Sequence, residues 1–164
     1  MTGRPVRITF TREEEFIASP TRQPVICDIK SGAKKDGTLM GRQVKMILDN
    51  GAYSSWGATT PLVMMMTISS LYRVPNVKYD VLVVYTNHPY AGAMRGYGNP
   101  QATFVVESSI DMLAHELGMD PMEFRLKNPL PVGNRFIAKA TTHFARQLGE
   151  PLHGKKEFAF QSSS

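Results

Sequence analysis

Four stretches of the chain alternate apolar and polar residues with a period of two, the signature of half-buried strands. In residues 6–11, Val6, Ile8 and Phe10 alternate with polar neighbours and predict a first strand. In residues 25–30, Cys27 and Ile29 share a face. In residues 39–48, Val44, Met46 and Leu48 do the same. The seven residues 31–37 join these two stretches and end in Asp36-Gly37, a strong hairpin turn signal. They predict an antiparallel pair with one buried side. Cys27 then reads as a small buried apolar residue rather than a nucleophile. Residues 77–85 alternate through Val77, Tyr79, Val81, Val83 and Tyr85, and predict a third or central strand.

Helical periodicity occupies other stretches. Residues 61–72 predict a helix with Leu62, Met65, Met66 and Leu71 inward, broken by Val74-Pro75-Asn76. Residues 101–117 give the best helix: Val105, Ser109, Met112, Leu113 and Leu117 fit one stripe, with Val106 and Ile110 beside it. Gly118 caps its end. Asp120 as N-cap, Pro121 at the first helical position and Glu123 completing a capping box begin another helix, which ends over residues 126–128. Thr11 and Glu14 form a capping box for a short helix carrying Glu13, Glu14 and Glu15 near its positive end. Beyond Gly133 the signal weakens to one helical stretch, 137–148, and a polar end.

The expected fold class is α+β: a mostly antiparallel sheet with helices packed on one face. Residues 1–135 are expected to form one domain. Residues 136–164 are expected to be a divergent tail, weakly structured or helical.

Composition narrows the class further. The 164 residues, 42% of them hydrophobic, suffice for one domain with a modest core. No apolar run approaches the roughly 20 residues that span a bilayer, and residues 1–12 lack the apolar stretch of a signal peptide. A single cysteine, Cys27, permits no internal disulfide and points to a reducing, cytoplasmic setting. The net charge of +5 is scattered, with no basic block interleaved with aromatics, which favours ordinary surface charge over a nucleic-acid face. The cluster Met64-Met65-Met66 reads as core filling.

The richest stretch for chemistry is Ala93-Met94-Arg95-Gly96-Tyr97-Gly98-Asn99-Pro100-Gln101. Pro100 at the first helical position places this loop at a helix start, where unpaired N–H groups carry about half a positive charge. Gly96 and Gly98 permit positive φ and close backbone approach. Arg95 adds a planar donor fork, and Tyr97 a ring that can stack on a planar molecule. Such a loop can bind an anion or an oxo group. It is not a dinucleotide fingerprint, because the third glycine and the distant acidic residue are missing.

This loop, continuing through Ala102 to Val105-Val106-Glu107, closely resembles a segment of the molybdenum-binding subunit of the xanthine dehydrogenase and aldehyde oxidase family. Four more segments resemble that family in its order: Gly3-Arg4-Pro5-Val6 with Thr11-Arg12-Glu13-Glu14, Asp36-Gly37 through Asn50-Gly51-Ala52-Tyr53, Tyr72-Arg73-Val74-Pro75-Asn76-Val77, and Leu117-Gly118-Met119-Asp120-Pro121 to Arg125-Leu126-Lys127-Asn128. The resemblance covers residues 3–135.

It implies part of a molybdenum hydroxylase acting on an N-heterocycle or aldehyde with oxygen from water. The implied cofactor is a molybdenum-pyranopterin, as molybdopterin or its cytosine dinucleotide. Iron–sulfur clusters and FAD would sit on partner domains or subunits. By resemblance, Met94, Arg95 and Gly96 line the cofactor, with the Arg95 backbone N–H near a molybdenum oxo ligand, and Tyr97 stacks on substrate. Gln101 and Glu107 match family positions, but read better as capping and packing residues.

The departures limit these expectations. Xanthine-type members carry a substrate-binding arginine where this chain has Val63. The family's preceding glycine-rich loop is absent. Its catalytic glutamate lies far downstream, and Gly149-Glu150 resembles that text at the wrong spacing. The chain is therefore expected to be one part of a split or truncated molybdenum subunit, inactive alone. The alternatives are a non-catalytic relic or accessory piece that only packs on partner subunits, and a basic anion or nucleic-acid binder.

Overall fold

Leu39–Gly51 forms the longest strand in the computed structural model, which describes residues 3–130, 140–142 and 156–158. Around it the elements run in chain order. Helix α1 is Arg12–Ala18, strands β1, β2 and β3 are Thr21–Arg22, Val25–Ala33 and Leu39–Gly51, and helix α2 is Thr60–Ser70. Then come strands β4 (Asn76–Tyr85) and β5 (Ala91–Gly92), and helices α3 (Asn99–Glu116) and α4 (Pro121–Lys127). A 3₁₀ turn, Trp56–Ala58, precedes α2.

The main sheet has the order β2-β3-β4, with β3 central. The β2–β3 hairpin is antiparallel and pairs Cys27 with Met46 and Ile29 with Val44, around the turn at Gly37 (φ +85°). β4 runs parallel to β3, pairing Val81 with Met46 and Tyr79 with Val44. The sheet is thus mixed, and β4 lies at its edge. A parallel neighbour needs a crossover, and α2 supplies it. The alternating positions do face the core as their spacing implies: Val44, Met46, Leu48, Tyr79 and Val81 are buried. Cys27 and Ile29 are only half-buried against that core, because β2 is the other edge.

The helices cover one face of the sheet, with their inner faces shifted from the expected stripes. In α2 the buried residues are Thr60, Pro61, Met64, Met65 and Ile68, while Met66 is 71% exposed. Its sequence is apolar nearly all round, so the pattern did not distinguish the faces. In α3 the buried residues are Ala102, Val106, Ile110 and Ala114, while Met112 faces solvent. Small alanines let α3 approach closely, so the buried stripe runs through them rather than through Val105, Ser109 and Met112. Helix α3 starts at Asn99 with Gly98 as N-cap, which puts Pro100 at the second helical position rather than the first.

Residues 6–11 are not a strand. Val6 and Ile8 are 76% and 82% exposed, and no strand pairs with them among the described residues. Alternation is insufficient where no neighbour offers a ladder. The following capping box is present: Thr11 Oγ1 accepts from the Glu14 N–H and Glu14 accepts from the Thr11 N–H at 2.8 Å, although α1 buries none of its residues. Asp120 caps α4 by accepting from the Met122 and Glu123 N–H groups, but the Glu123 side chain returns no bond among the described residues, so only half of the expected capping box is formed. Gly118, beyond the end of α3, has φ +65°. Within the expected 137–148 helix, Ala140–Thr142 is instead strand β6, paired antiparallel with β7 (Lys156–Phe158). The rest of that stretch, with Gly149-Glu150, lies outside the described residues.

Two side-chain knots tie the layers together. Buried Asn128 accepts from the Leu39 N–H at 2.9 Å and donates to the carbonyls of Gly37 and Phe124, joining the hairpin turn to α4. Glu107 on α3 accepts from the Tyr72 hydroxyl and from Arg125, both at 2.9 Å. Glu107 therefore has the packing role expected of it.

Burial raises three pKa values. Desolvation takes the Cys27 thiol from 9.0 to about 11, with the neighbouring Asp28 charge adding to it. Desolvation also pushes Tyr72 and Tyr79 from 10.0 to about 12, reinforced at Tyr72 by Glu107. The fold favours all three neutral forms, so their contribution is complete below pH 9 and is lost as pH rises toward those values. The urea midpoint should therefore fall steadily between pH 9 and 11, and Cys27→Ala should remove the earliest part of the fall. A midpoint that stays flat over this interval would contradict the assignment.

Candidate functional site

The Arg95–Gly98 loop is built from backbone conformations that few residues tolerate. Gly96, Tyr97 and Gly98 have φ of +89°, +43° and +93° in succession, and Tyr97 is the only non-glycine with positive φ among the described residues. Glycine is required at Gly98 for a second reason. A Cβ there would meet Met64 Cγ at 2.9 Å and the Thr60 carbonyl oxygen at 3.0 Å, so the loop lies directly on α2. At Gly96 a Cβ would meet Pro100 at 2.8 Å.

The loop's carbonyls are engaged with the protein. The Tyr97 N–H donates to Met94 O at 2.7 Å, the Asn99 N–H to Gly96 O at 2.9 Å and the Ala102 N–H to Gly98 O at 3.0 Å. Arg95 O accepts from Arg22 Nη2 at 2.7 Å. The N–H groups of exposed Arg95 and Gly96, like that of buried Gly98, meet no acceptor among the described residues. Arg95 and Met94 carry exposed side chains. The sequence-derived candidates Met94, Arg95, Gly96 and Tyr97 thus occupy one turn at the start of α3.

Tyr97 is more constrained than a free stacking ring. Its hydroxyl donates to Trp56 O at 3.1 Å and pairs with Thr59 Oγ1. Its ring meets Trp56 edge-on, with centroids 6.5 Å apart and planes at 82°. Trp56 is 62% exposed. Asn99 Oδ1 accepts from Thr67 of α2. Val63, half-buried, lies on α2 between Thr60 and Thr67, which both touch the loop. The α2 turn beside the loop therefore offers an apolar side chain at the position where xanthine-type members are expected to carry an arginine.

Gln101 accepts from Arg22 at 3.4 Å and donates to Gln23 O at 3.1 Å. Arg22, Trp56 and Thr59 were not singled out from the sequence. Arg22 gave no local signal, since it reaches the loop only through the two-residue parallel pairing of β1 with β5. Trp56, the chain's only tryptophan, could have been flagged by its place before a helix start.

Chemically, the turn presents donors to an anionic oxygen: two outward N–H groups, a helix start and an arginine. No acidic residue occurs from 86 to 106. These features suit an oxo-bearing group. Residues 1–129 match the model of the molybdopterin cofactor-binding domain.

The chain belongs to this molybdopterin-binding family.

The chain is 38% identical over 160 residues to the nicotinate dehydrogenase large molybdopterin subunit of Eubacterium barkeri, an alignment covering 98% of this chain and 38% of that protein. It is 39% identical over 133 residues to the aldehyde oxidoreductase of Megalodesulfovibrio gigas, covering 81% of this chain and 15% of that protein. Its fold matches quinoline 2-oxidoreductase from Pseudomonas putida 86 with a TM-score of 0.70 at 28% identity, over 75% of this chain and 16% of that structure. The chain thus spans well under half of these relatives. It is a molybdenum-hydroxylase-family segment whose cofactor type is molybdenum-pterin. No helix among the described residues is long and apolar enough to cross a membrane.

The close approach of Gly98 to α2 gives a direct test. Gly98→Ala should cost about 3 kcal/mol, combining backbone strain with displacement of α2. Gly118→Ala, where a Cβ meets nothing within 4 Å, should cost about 1 kcal/mol from strain alone. Urea unfolding of both variants checks this, and equal losses would contradict it.

Proposed function

We propose that this molybdopterin-family chain supplies one wall of a hydroxylase active site, as one part of a molybdenum subunit. The observation that carries this reading is the pair of outward N–H groups at Arg95 and Gly96, in the segment that matches the family. When bound, a molybdenum-pterin group would supply two-electron oxidation of a heterocycle or aldehyde carbon, with water as the oxygen source. The names of the nicotinate, quinoline and aldehyde enzymes support this range of substrates.

Within that site the chain's own residues orient and stabilise. The Arg95 and Gly96 N–H groups would hold an anionic oxygen of that group by donating to it, and Met94 would line the same place. Fixed dipoles on a rigid loop do this without reorganising. Tyr97, held by Thr59 and Trp56, presents its ring to a planar substrate. Val63 leaves that substrate without a guanidinium partner on α2, so an N-heterocycle without an anionic group there, or an aldehyde, fits better than a purine held by arginine. The general base comes from another part of the subunit; lacking a base commonly costs roughly 10²–10⁴ in rate. The partners are the rest of the molybdenum subunit and the iron–sulfur and flavin units, in the cytoplasm. Residues 1–135 are the partial cofactor-binding domain and 136–164 a divergent tail.

A second reading, a non-catalytic piece that packs on partner subunits, is favoured by one feature. Val6, Ile8, Phe16 and Ile17 are all exposed along an arm that buries nothing in this chain.

Metal analysis of the purified chain, with pterin fluorescence after oxidation, tests the first reading. It predicts substoichiometric molybdenum and no turnover of nicotinate or an aldehyde by the chain alone, with both restored when the missing part of a molybdenum subunit is co-expressed. Stoichiometric cofactor with turnover in the isolated chain would contradict it. Failure of any such partner to restore cofactor would favour the packing piece.

A further inference from the structure

We infer that Arg22 is a positioning residue that sets the aim of the Arg95–Gly96 donors. A trans peptide points its C=O and N–H in opposite directions. Fixing a carbonyl therefore aims the N–H of the next residue. Met94 O is held by the Tyr97 N–H at 2.7 Å, so the Arg95 N–H faces away from the turn. Among the described residues Arg95 O has one partner, Arg22 Nη2 at 2.7 Å, so Arg22 holds the peptide that aims the Gly96 N–H. A charge-assisted bond of this length is among the stronger ones available to a carbonyl.

The guanidinium is itself prevented from turning. Its Nη1 donates to Gln101 Oε1 at 3.4 Å, and Gln101 is anchored in turn by its Nε2 on Gln23 O at 3.1 Å. The backbone under Arg22 is fixed as well. Arg22 pairs with Gly92 in the β1–β5 ladder, and Gly92 is buried so closely that a Cβ would meet Pro20 Cβ at 3.3 Å. Two strands of two residues each thus carry one side chain across to the loop at Arg95 and to the first turn of α3 at Gln101. Arg22 is half-buried and lies outside the hydrophobic core, so removing its head group spares the fold.

The consequence for an oxo ligand rests on the function proposed above, whereas the geometry does not. The test reads geometry alone, so its failure is distinguishable from a failure to bind molybdenum. Backbone ¹⁵N relaxation would be measured on the whole chain as wild type, Arg22→Met and Arg22→Lys. In the wild type the Gly96 and Tyr97 N–H vectors should be rigid, with order parameters of about 0.85, and in R22M they should fall below about 0.6. Val106 and Met46 should not change. R22K keeps one donor for the Arg95 carbonyl and should fall between the two, a conservative rescue that a purely structural role would not show. A loop equally rigid in wild type and R22M would overturn the inference. So would a loss of order that extends to Val106 and Met46.

Discussion

The close contact between Gly98 and helix α2 governs the rest of the structure. A side chain at this position would run into Met64 and the Thr60 carbonyl, so the chain can pass over α2 only as glycine in the left-handed region. That passage fixes where α3 begins. It also forces the preceding residues into a tight turn whose carbonyls point inward to Tyr97 and Asn99 N–H groups and to Arg22. Donors are left facing out as a consequence. The loop's capacity to meet an anionic oxygen follows from the packing of two helices.

That packing is supported from beneath. Helix α2 is the crossover between the parallel strands β3 and β4, so its position is set by the sheet. Met64, Met65 and Ile68 pack into the same core as Val44, Met46, Tyr79, Val106 and Ile110. The Tyr79 hydroxyl reaches back to Met65 O at 3.1 Å and to Ser69 at 2.6 Å, which holds α2 against rotation. At the far end, Glu107 gathers Tyr72 and Arg125, and the Arg125–Asp111 pair at 2.7 Å adds a second tie between α3 and α4. Partly exposed ion pairs are worth little singly, but this cluster shares one carboxylate among α3, α4 and the segment that follows α2. The site loop therefore rests on a rigid frame, as a preorganised donor pair requires.

Local signals were legible in the sequence and distant ones were not. The Asp36-Gly37 hairpin, the Thr11 and Asp120 caps and the glycine after α3 each depend on a few neighbouring residues, and the structure contains all of them. The alternation of β3 and β4 correctly identified Val44, Met46, Tyr79 and Val81 as inward. The same alternation misled at Val6, Ile8 and Phe10, because a period of two marks a surface that could be buried and says nothing about whether a partner is present. The direction of β4 was readable in principle, since a helix between adjacent strands implies a parallel crossover. The inner face of α2 was not, because Leu62 through Met66 is an unbroken apolar run. At the site, the glycines and Tyr97 announced the turn, whereas Arg22 lies 73 positions from the carbonyl it holds. No local pattern encodes a contact at that separation.

The Arg95–Gly98 turn lies inside the span that matches the family model. That model covers residues 1–129, and within the turn the Tyr97 and Asn99 N–H groups are bonded while those of Arg95 and Gly96 meet no acceptor among the described residues. The site's character lies in that combination of engaged and free amides within a single turn. Water–amide exchange measured by NMR across residues 95–99 tests it most directly. The account predicts slow exchange at Tyr97 and Asn99 and fast exchange at Arg95 and Gly96. Uniformly fast exchange across all five residues would show a loose loop with no aimed donors, and would contradict it.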